Sequence, residues 1–128
     1  MTLRSWLSCA VLALTLFGAA LSAHHPLSRT YRTDERATVD GVIVSIVLRS
    51  PHSYLEVRAQ DAQKHVRVWS IECGDHRVVR KRLAEGSLRP GDRVIVTGEP
   101  ARDDGEFRVR LRRLVRPTDG WEWREADR

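Results

Sequence analysis

The sequence predicts a small all-β domain with one short helix, carried behind a cleavable leader. Three observations predict this class: an apolar N-terminal stretch that ends in small residues, five β-branched or alternating segments, and one amphipathic segment after the third of them. The chain has 128 residues, so the part after the leader is long enough for one hydrophobic core and too short for two. The net charge is +5, with both signs mixed along the chain, which makes the domain mildly basic.

Residues 1–23 have the pattern of a secretory signal peptide. Arg4 supplies the positive start, residues 10–21 form the apolar centre, and Leu21-Ser22-Ala23 offers a cleavage site. A membrane-spanning helix needs about 20 consecutive apolar residues, and this run is shorter. We therefore expect a periplasmic protein that does not span the membrane once its leader has been removed.

The chain after the leader divides into an N-terminal arm (24–36), a strand-rich domain (37–116) and a C-terminal tail (117–128). The arm is polar and has no apolar period, so we expect it to be extended. The first strand, over 37–48, is rich in β-branched residues and contains Gly41. A glycine within such a strand marks a kink or bulge where a sheet curls.

Turn signals separate the following strands. Pro51 lacks a ladder donor and ends the first strand. In a second strand over 53–59, Leu55 and Val57 alternate with polar residues. A third strand follows over 65–72, after a short polar turn.

One helix precedes the last two strands. Asp75 is suited to cap a helix over 76–85, and Gly86 is placed to end it. A fourth strand over 93–98 and a fifth over 107–112 are joined by a hairpin that contains paired aspartates, for which a turn role is the ordinary interpretation.

This order of elements favours a five-stranded, partly open barrel of the oligonucleotide/oligosaccharide-binding (OB) kind, in which a helix lies between strands three and four. A small β-sandwich is the alternative, but the helix and the curled first strand favour the barrel. Trp69 in the third strand is expected in the core. Trp121 and Trp123 follow the last predicted strand, where they either pack over a barrel end or contact a partner.

Four segments carry a resemblance to a known family: AHHPLS, GVIVSIVLRSPHSYLEV, VWSIE and LRPGDRVIVTGEPARDDG. In this order they resemble domain of unknown function 6152, a family of small exported bacterial proteins with an Ala-His-His start, a Pro-His turn and a Trp-x-x-Glu strand. The resemblance implies a periplasmic OB-like domain and no established activity. The chain departs from the pattern at Ser50 (for asparagine), Pro26 (for serine) and Cys73 (for glycine).

His24, His25 and His52 form the sharpest candidate site. Imidazole suits copper, zinc and nickel. Cleavage after Ala23 would give His24 both a free amine and an imidazole, a chelating pair that binds copper. Cleavage after Ser22 would give an Ala-His-His terminus, whose amine, two amides and His25 imidazole suit a square-planar ion. The competing interpretation is a frayed terminus and an ordinary turn histidine.

The rival hypothesis is an exported interaction module for an anionic polymer, a lipid head group or an acidic envelope protein. Arg108, Arg110 and Arg112 lie on one face of the fifth strand and would form its basic surface, with a second cationic run over 77–82 in the helix. Export separates the chain from nucleic acid, which we do not expect as a partner.

The remaining residues of chemical interest give weaker signals. Cys73 stands alone after the leader, which leaves a buried thiol, an intermolecular bridge or, with His76, two corners of a metal site. We find no defensible catalytic triad, phosphate-binding loop or H-E-x-x-H motif, and we predict a binding protein that is not an enzyme. The sequence establishes no cofactor, and copper is the candidate metal.

Overall fold

A computed structural model of the chain describes residues 27–125. The predicted leader, His24 and His25 lie outside these residues. The secondary structure elements in chain order are α1 (Leu27–Thr30), β1 (Ala37–Val47), β2 (Ser53–Gln60), β3 (Val66–Gly74), α2 (His76–Gly86), β4 (Arg93–Pro100), β5 (Arg108–Arg116) and β6 (Trp121–Arg124).

The strands form one sheet that closes on itself. Its order is β3-β2-β1-β4-β5-β6, and the neighbouring strands pair antiparallel. A short parallel pairing of β3 with β5 closes the first five strands into a barrel, and α2 connects β3 to β4. The OB-like barrel predicted from the order of elements is therefore confirmed.

The core fills the barrel with side chains from alternate positions of its strands. In β2, Leu55, Val57 and Ala59 are buried, as the sequence pattern predicts. Trp69 is partly buried against this core, and its ring meets Phe107 edge to face at 5.2 Å between centroids. The largest fully buried hydrophobic side chains are Trp123, Tyr31, Ile43, Leu55, Ile71, Leu111 and Leu114.

β1 pairs with β4 through its first half and with β2 through its second half, and the two ladders overlap at Gly41 and Val42. A Cβ atom added at Gly41 would lie 2.4 Å from the carbonyl oxygen of Arg58, so the close approach of β2 requires glycine there. The ladder to β2 shifts register between Ile43 and Ser45, which is the expected bulge.

Both ends of α2 are fixed by local contacts. The Asp75 carboxylate accepts a hydrogen bond from the backbone N–H of Arg77 at 2.9 Å, which confirms the predicted N-cap. The helix continues through Gly86 and is capped by Ser87 in the left-handed conformation. Gly86 allows Trp121 to pack closely against the helix, because a Cβ atom at Gly86 would lie 2.5 Å from the ring of Trp121.

The structure adds an element at each end of the predicted barrel. α1 lies within the arm that the sequence analysis expected to be extended. β6 lies within the predicted tail and pairs with the end of β5. Trp123 in β6 is 1% exposed and joins the core. Of the two alternatives for the C-terminal tryptophans, packing against the barrel is therefore the one observed.

A charged turn leads from β5 into β6. The Arg116 guanidinium donates to both carboxylate oxygens of Asp119, at 3.0 and 2.6 Å, and the backbone N–H of Trp121 donates to the same carboxylate. These bonds, the guanidinium first, lower the pKa of Asp119 to about 2. The turn is thus held by an ionised aspartate.

Candidate metal-binding site

His52 lies at the end of the loop between β1 and β2, directly before Ser53 begins β2. Its Nδ1 atom is 2.6 Å from Oε1 of Glu72 on β3, and half of the His52 side chain is exposed. The Ser50–Pro51 peptide bond that precedes it is cis. The Pro-His turn and the Trp-x-x-Glu strand, distant in sequence, therefore meet through a direct side-chain contact.

Glu72 occupies an unusual position for a carboxylate. It pairs with Tyr54 across the β2–β3 ladder, on the outer side of the barrel wall. Even so, its side chain is only 8% exposed, because the N-terminal arm covers it. The hydroxyl group of Tyr31 donates a hydrogen bond to Oε2, while His52 occupies Oε1. Each oxygen of this buried carboxylate thus has its own partner, as burial of a charge requires.

Tyr31 fixes the arm against the loop between β4 and β5. Tyr31 forms an isolated antiparallel β-bridge with Ala101. On either side of it, the Arg32 N–H donates to the carbonyl of Pro100 at 3.0 Å, and the Arg102 N–H donates to the carbonyl of Thr30 at 2.9 Å. The ring is 1% exposed. Burial raises the pKa of the Tyr31 phenol, and the bond to Glu72 raises it further, so the hydroxyl remains a hydrogen-bond donor.

The contact with Glu72 determines which nitrogen of His52 can bind another group. A ring nitrogen facing a carboxylate carries a proton, so in the neutral imidazole the lone pair lies on Nε2. Histidines that bind metals usually have their second nitrogen held in this way by a carboxylate or carbonyl, which orients the ring and raises its basicity. His52 therefore has the supporting contact of a metal ligand.

The rest of a metal coordination shell is not found in the part of the chain that the structure describes. Between residues 27 and 125, no group of three His, Cys, Asp or Glu side chains is arranged to hold a metal ion. His24 and His25, which the sequence analysis combined with His52, lie outside that range. His52 can thus supply one ligand, and the remaining ligands must come from elsewhere.

The loop that carries His52 is also tied to α2. The Ser50 hydroxyl donates to Asp75 at 2.8 Å and lies 2.6 Å from Nδ1 of His76. Cys73 contributes nothing to this surface, since it is buried in the core and its thiol donates to the carbonyl of Ile71. Burial raises the pKa of the thiol, so it stays protonated and is a poor metal ligand.

The three β5 arginines of the rival hypothesis do lie on one face, but a buried carboxylate compensates two of them. Glu99 of β4 is 1% exposed and accepts hydrogen bonds from Arg112 at 2.8 and 2.6 Å and from Arg110 at 3.0 Å. Arg108 lies 3.4 Å from Glu106. The surface is therefore less cationic than the sequence pattern suggests.

Three residues of these networks were missed by the sequence analysis. Glu72 could have been singled out, because it belongs to the Trp-x-x-Glu segment that carries the family resemblance. Tyr31 gave no signal, since it is one apolar ring in a polar arm. Glu99 gave none either, because its partners depend on the pairing of Glu99 with Arg110 across β4 and β5.

Comparison with known proteins identifies the family of the chain. A family model described as a family of unknown function, DUF6152, matches residues 12–109. No curated protein matches the sequence significantly. Two crystal forms of Rim1, a mitochondrial single-stranded DNA binding protein from S. cerevisiae, are similar to this chain at 13% and 14% identity. They cover 72% and 73% of it and 96% and 98% of their own length, each with a TM-score of 0.49.

Within residues 27–125 there is also no helix of the length and hydrophobicity that a membrane crossing needs.

Proposed function

The chain belongs to DUF6152, a family of unknown function, and we propose that it is a non-enzymatic, exported binding domain for copper or a similar divalent metal. His52 supplies one ligand through Nε2, and His24 and His25 supply the others from the terminus that removal of the leader creates. The contact between His52 and Glu72 carries this proposal, because it holds a half-exposed imidazole in an orientation that leaves Nε2 accessible.

The position of Tyr31 supports a site shared between the terminus and the barrel. His25 precedes Tyr31 by six positions, and because α1 occupies Leu27–Thr30, the chain could place it at most about 13 Å from that residue. Tyr31 and His52 are both bound to the carboxylate of Glu72. Because Tyr31 is held beside His52, the segment that carries His24 and His25 starts close to His52 and not at the start of β1.

The ligand types favour copper among the divalent ions. Three imidazoles and a terminal amine are nitrogen donors, and sites of this kind bind Cu²⁺ more tightly than the other first-row divalent metals. The thiol of Cys73 is not available as a ligand, because it is buried in the core. The position of cleavage determines how many nitrogen atoms the terminus contributes, so intact-mass measurement of the exported protein is the first step of any test.

Copper titration of the processed protein, followed by calorimetry and by electron paramagnetic resonance, tests the proposal. We expect His52→Ala and the double variant His24→Ala/His25→Ala each to weaken Cu²⁺ binding, with a change in the copper spectrum. His65→Ala is the matched control, because His65 is also a surface histidine beside a carboxylate, Asp61 at 3.7 Å. Equal affinity for wild type, His52→Ala and His65→Ala would overturn the role of His52.

Glu72→Gln examines the supporting contact separately from the ligands. Loss of such a partner reduces metal affinity about 10- to 100-fold while the ligands remain. A Glu72→Gln variant that folds and binds copper as tightly as wild type would show that the carboxylate does not orient His52. Folding of the variant is checked by its thermal unfolding, since Glu72 is also the acceptor for Tyr31.

A further inference from the structure

Helix α2 carries a cationic groove that the proposed metal site does not use. The groove has a volume of about 350 Å³ and is lined by His76, Arg77, Arg80, Lys81 and Ala84. Residues three and four positions apart lie side by side on a helix, so these side chains form one continuous face. Ala84 is the small residue of this face, and its methyl group leaves room between the longer cationic side chains.

Two cationic side chains of this groove have no close ion partner within the described part of the chain. Arg77 and Arg80 make no side-chain ion pair or hydrogen bond with any residue from 27 to 125. The arginines of β5 and β6 differ, because each lies within 4.0 Å of a carboxylate, as seen for Arg108, Arg110, Arg112, Arg113, Arg116 and Arg124. Within residues 27–125, Arg77 and Arg80 are thus among the arginines without a close carboxylate partner, as Arg58 and Arg89 also are.

The two carboxylates near the groove offset part of its charge. Asp75 lies 3.8 Å from Nδ1 of His76, and its negative charge also acts on Arg77. Asp75 accepts from the backbone N–H of Arg77 and from the Ser50 hydroxyl, so both of its oxygens are occupied. Glu85 is bound by Arg82 at 3.1 Å, and its distance to Lys81 is 3.9 Å. An exposed pair at that distance contributes little, so Lys81 remains available to a ligand.

We propose that this groove binds a phosphate-bearing anion. A phosphate monoester carries about two negative charges at neutral pH and three acceptor oxygens. Two guanidinium groups and an ammonium group offer three cationic donors, one for each of those oxygens, and their summed charge exceeds that of the phosphate. A carboxylate, with a single charge and two oxygens, would offset less of that charge. The inference goes beyond the proposed metal function and places anion binding on α2 instead of β5.

Two probes carrying the same chemistry test the proposal on the processed protein. Inorganic phosphate is titrated while the backbone amide signals of α2 are followed by nuclear magnetic resonance. Vesicles of neutral lipid with and without phosphatidic acid are tested by co-sedimentation. Binding to phosphate alone indicates a soluble ligand, and additional binding to phosphatidic acid indicates a lipid head group. Binding to neither probe overturns the proposal.

Matched double variants separate a site from general charge attraction. Arg77→Gln/Arg80→Gln and Arg58→Gln/Arg89→Gln remove the same net charge, and all four side chains are exposed. We expect the first pair to weaken phosphate binding about tenfold and the second less than twofold. Equal losses would show attraction to net charge and would also overturn the proposal. His52→Ala should bind phosphate normally, so this test does not depend on the metal site.

Discussion

Neutralising Glu99 should destabilise the barrel far more than neutralising an exposed glutamate. The Glu99 side chain is 1% exposed and lies between Arg110 and Arg112, whose side chains are 19% and 17% exposed. Glu99→Gln keeps the size of the side chain, removes its charge and leaves two poorly hydrated guanidinium groups beside a neutral amide. Breaking a buried ion pair by removing one partner costs about 3 to 5 kcal/mol of folding free energy.

We place the cost for Glu99→Gln at the lower end, about 3 kcal/mol, because water still reaches part of each arginine. Glu106→Gln is the control. Glu106 lies 3.4 Å from Arg108 in an exposed pair, and such pairs contribute about 0 to 1 kcal/mol. The free energy of unfolding of a domain is about 5 to 15 kcal/mol, so the Glu99 variant should remain folded but close to its limit.

Urea unfolding followed by tryptophan fluorescence measures both variants. At about 1.5 kcal/mol per molar, a loss of 3 kcal/mol lowers the midpoint by about 2 M. Replacing Glu99, Arg110 and Arg112 together by methionine should recover most of the loss, because no charge is then left buried without a partner. A Glu99→Gln midpoint no lower than that of Glu106→Gln would refute this account of the network.

Three further predictions concern packing, reactivity and pH. Gly86→Ala should lower the free energy of unfolding by about 1 to 3 kcal/mol, because the new methyl group would overlap the ring of Trp121. Gly105→Ala, in an exposed turn, should change it little, and urea unfolding measures both variants. Cys73 should resist an aromatic disulfide reagent at pH 8 until urea unfolds the protein, because burial keeps its thiol protonated; reaction of the folded protein at the unfolded rate would contradict this. The pKa of Asp119 is lowered to about 2, so its contribution to stability is complete above about pH 4 and disappears as the pH falls through 2. The thermal unfolding midpoints of wild type and Asp119→Asn, measured at a series of pH values, should therefore converge as the pH falls over that interval.

The sequence was sufficient for the order and type of the main elements, because these depend on local patterns. The burial of Leu55, Val57 and Ala59 follows the alternation of β2, and the Asp75 cap begins α2 where expected. Four residues of β6 are too few to establish a period, and its place in the sheet depends on Trp123 filling the core. The predicted tail therefore omitted a sixth strand, which extends the sheet beyond the five-stranded barrel.

The carboxylates of the two buried networks could not be assigned from local patterns. Alternation predicts that Glu72 and Glu99 point away from the core, and both do lie across the ladder from outward-facing residues. Their burial comes from other elements: Tyr31 of the arm covers Glu72, and arginines of β5 surround Glu99. Such cover depends on register and tertiary contacts, which a single strand does not reveal.

The short β3–β5 pairing that closes the barrel, its seam, includes Glu72 and so links the candidate site to the stability of the fold. Three residue pairs join β3 to β5, namely Ser70 with Arg108, Ile71 with Val109, and Glu72 with Arg110. A ladder this short is expected to open more readily than the longer ladders around it, and opening would separate Glu72 from Tyr31, which is tied to Ala101 beyond β4. A metal held by His52 together with the histidines of the arm would favour the closed seam by mass action. Protection of the seam amides from hydrogen exchange would then measure how fully the site is occupied.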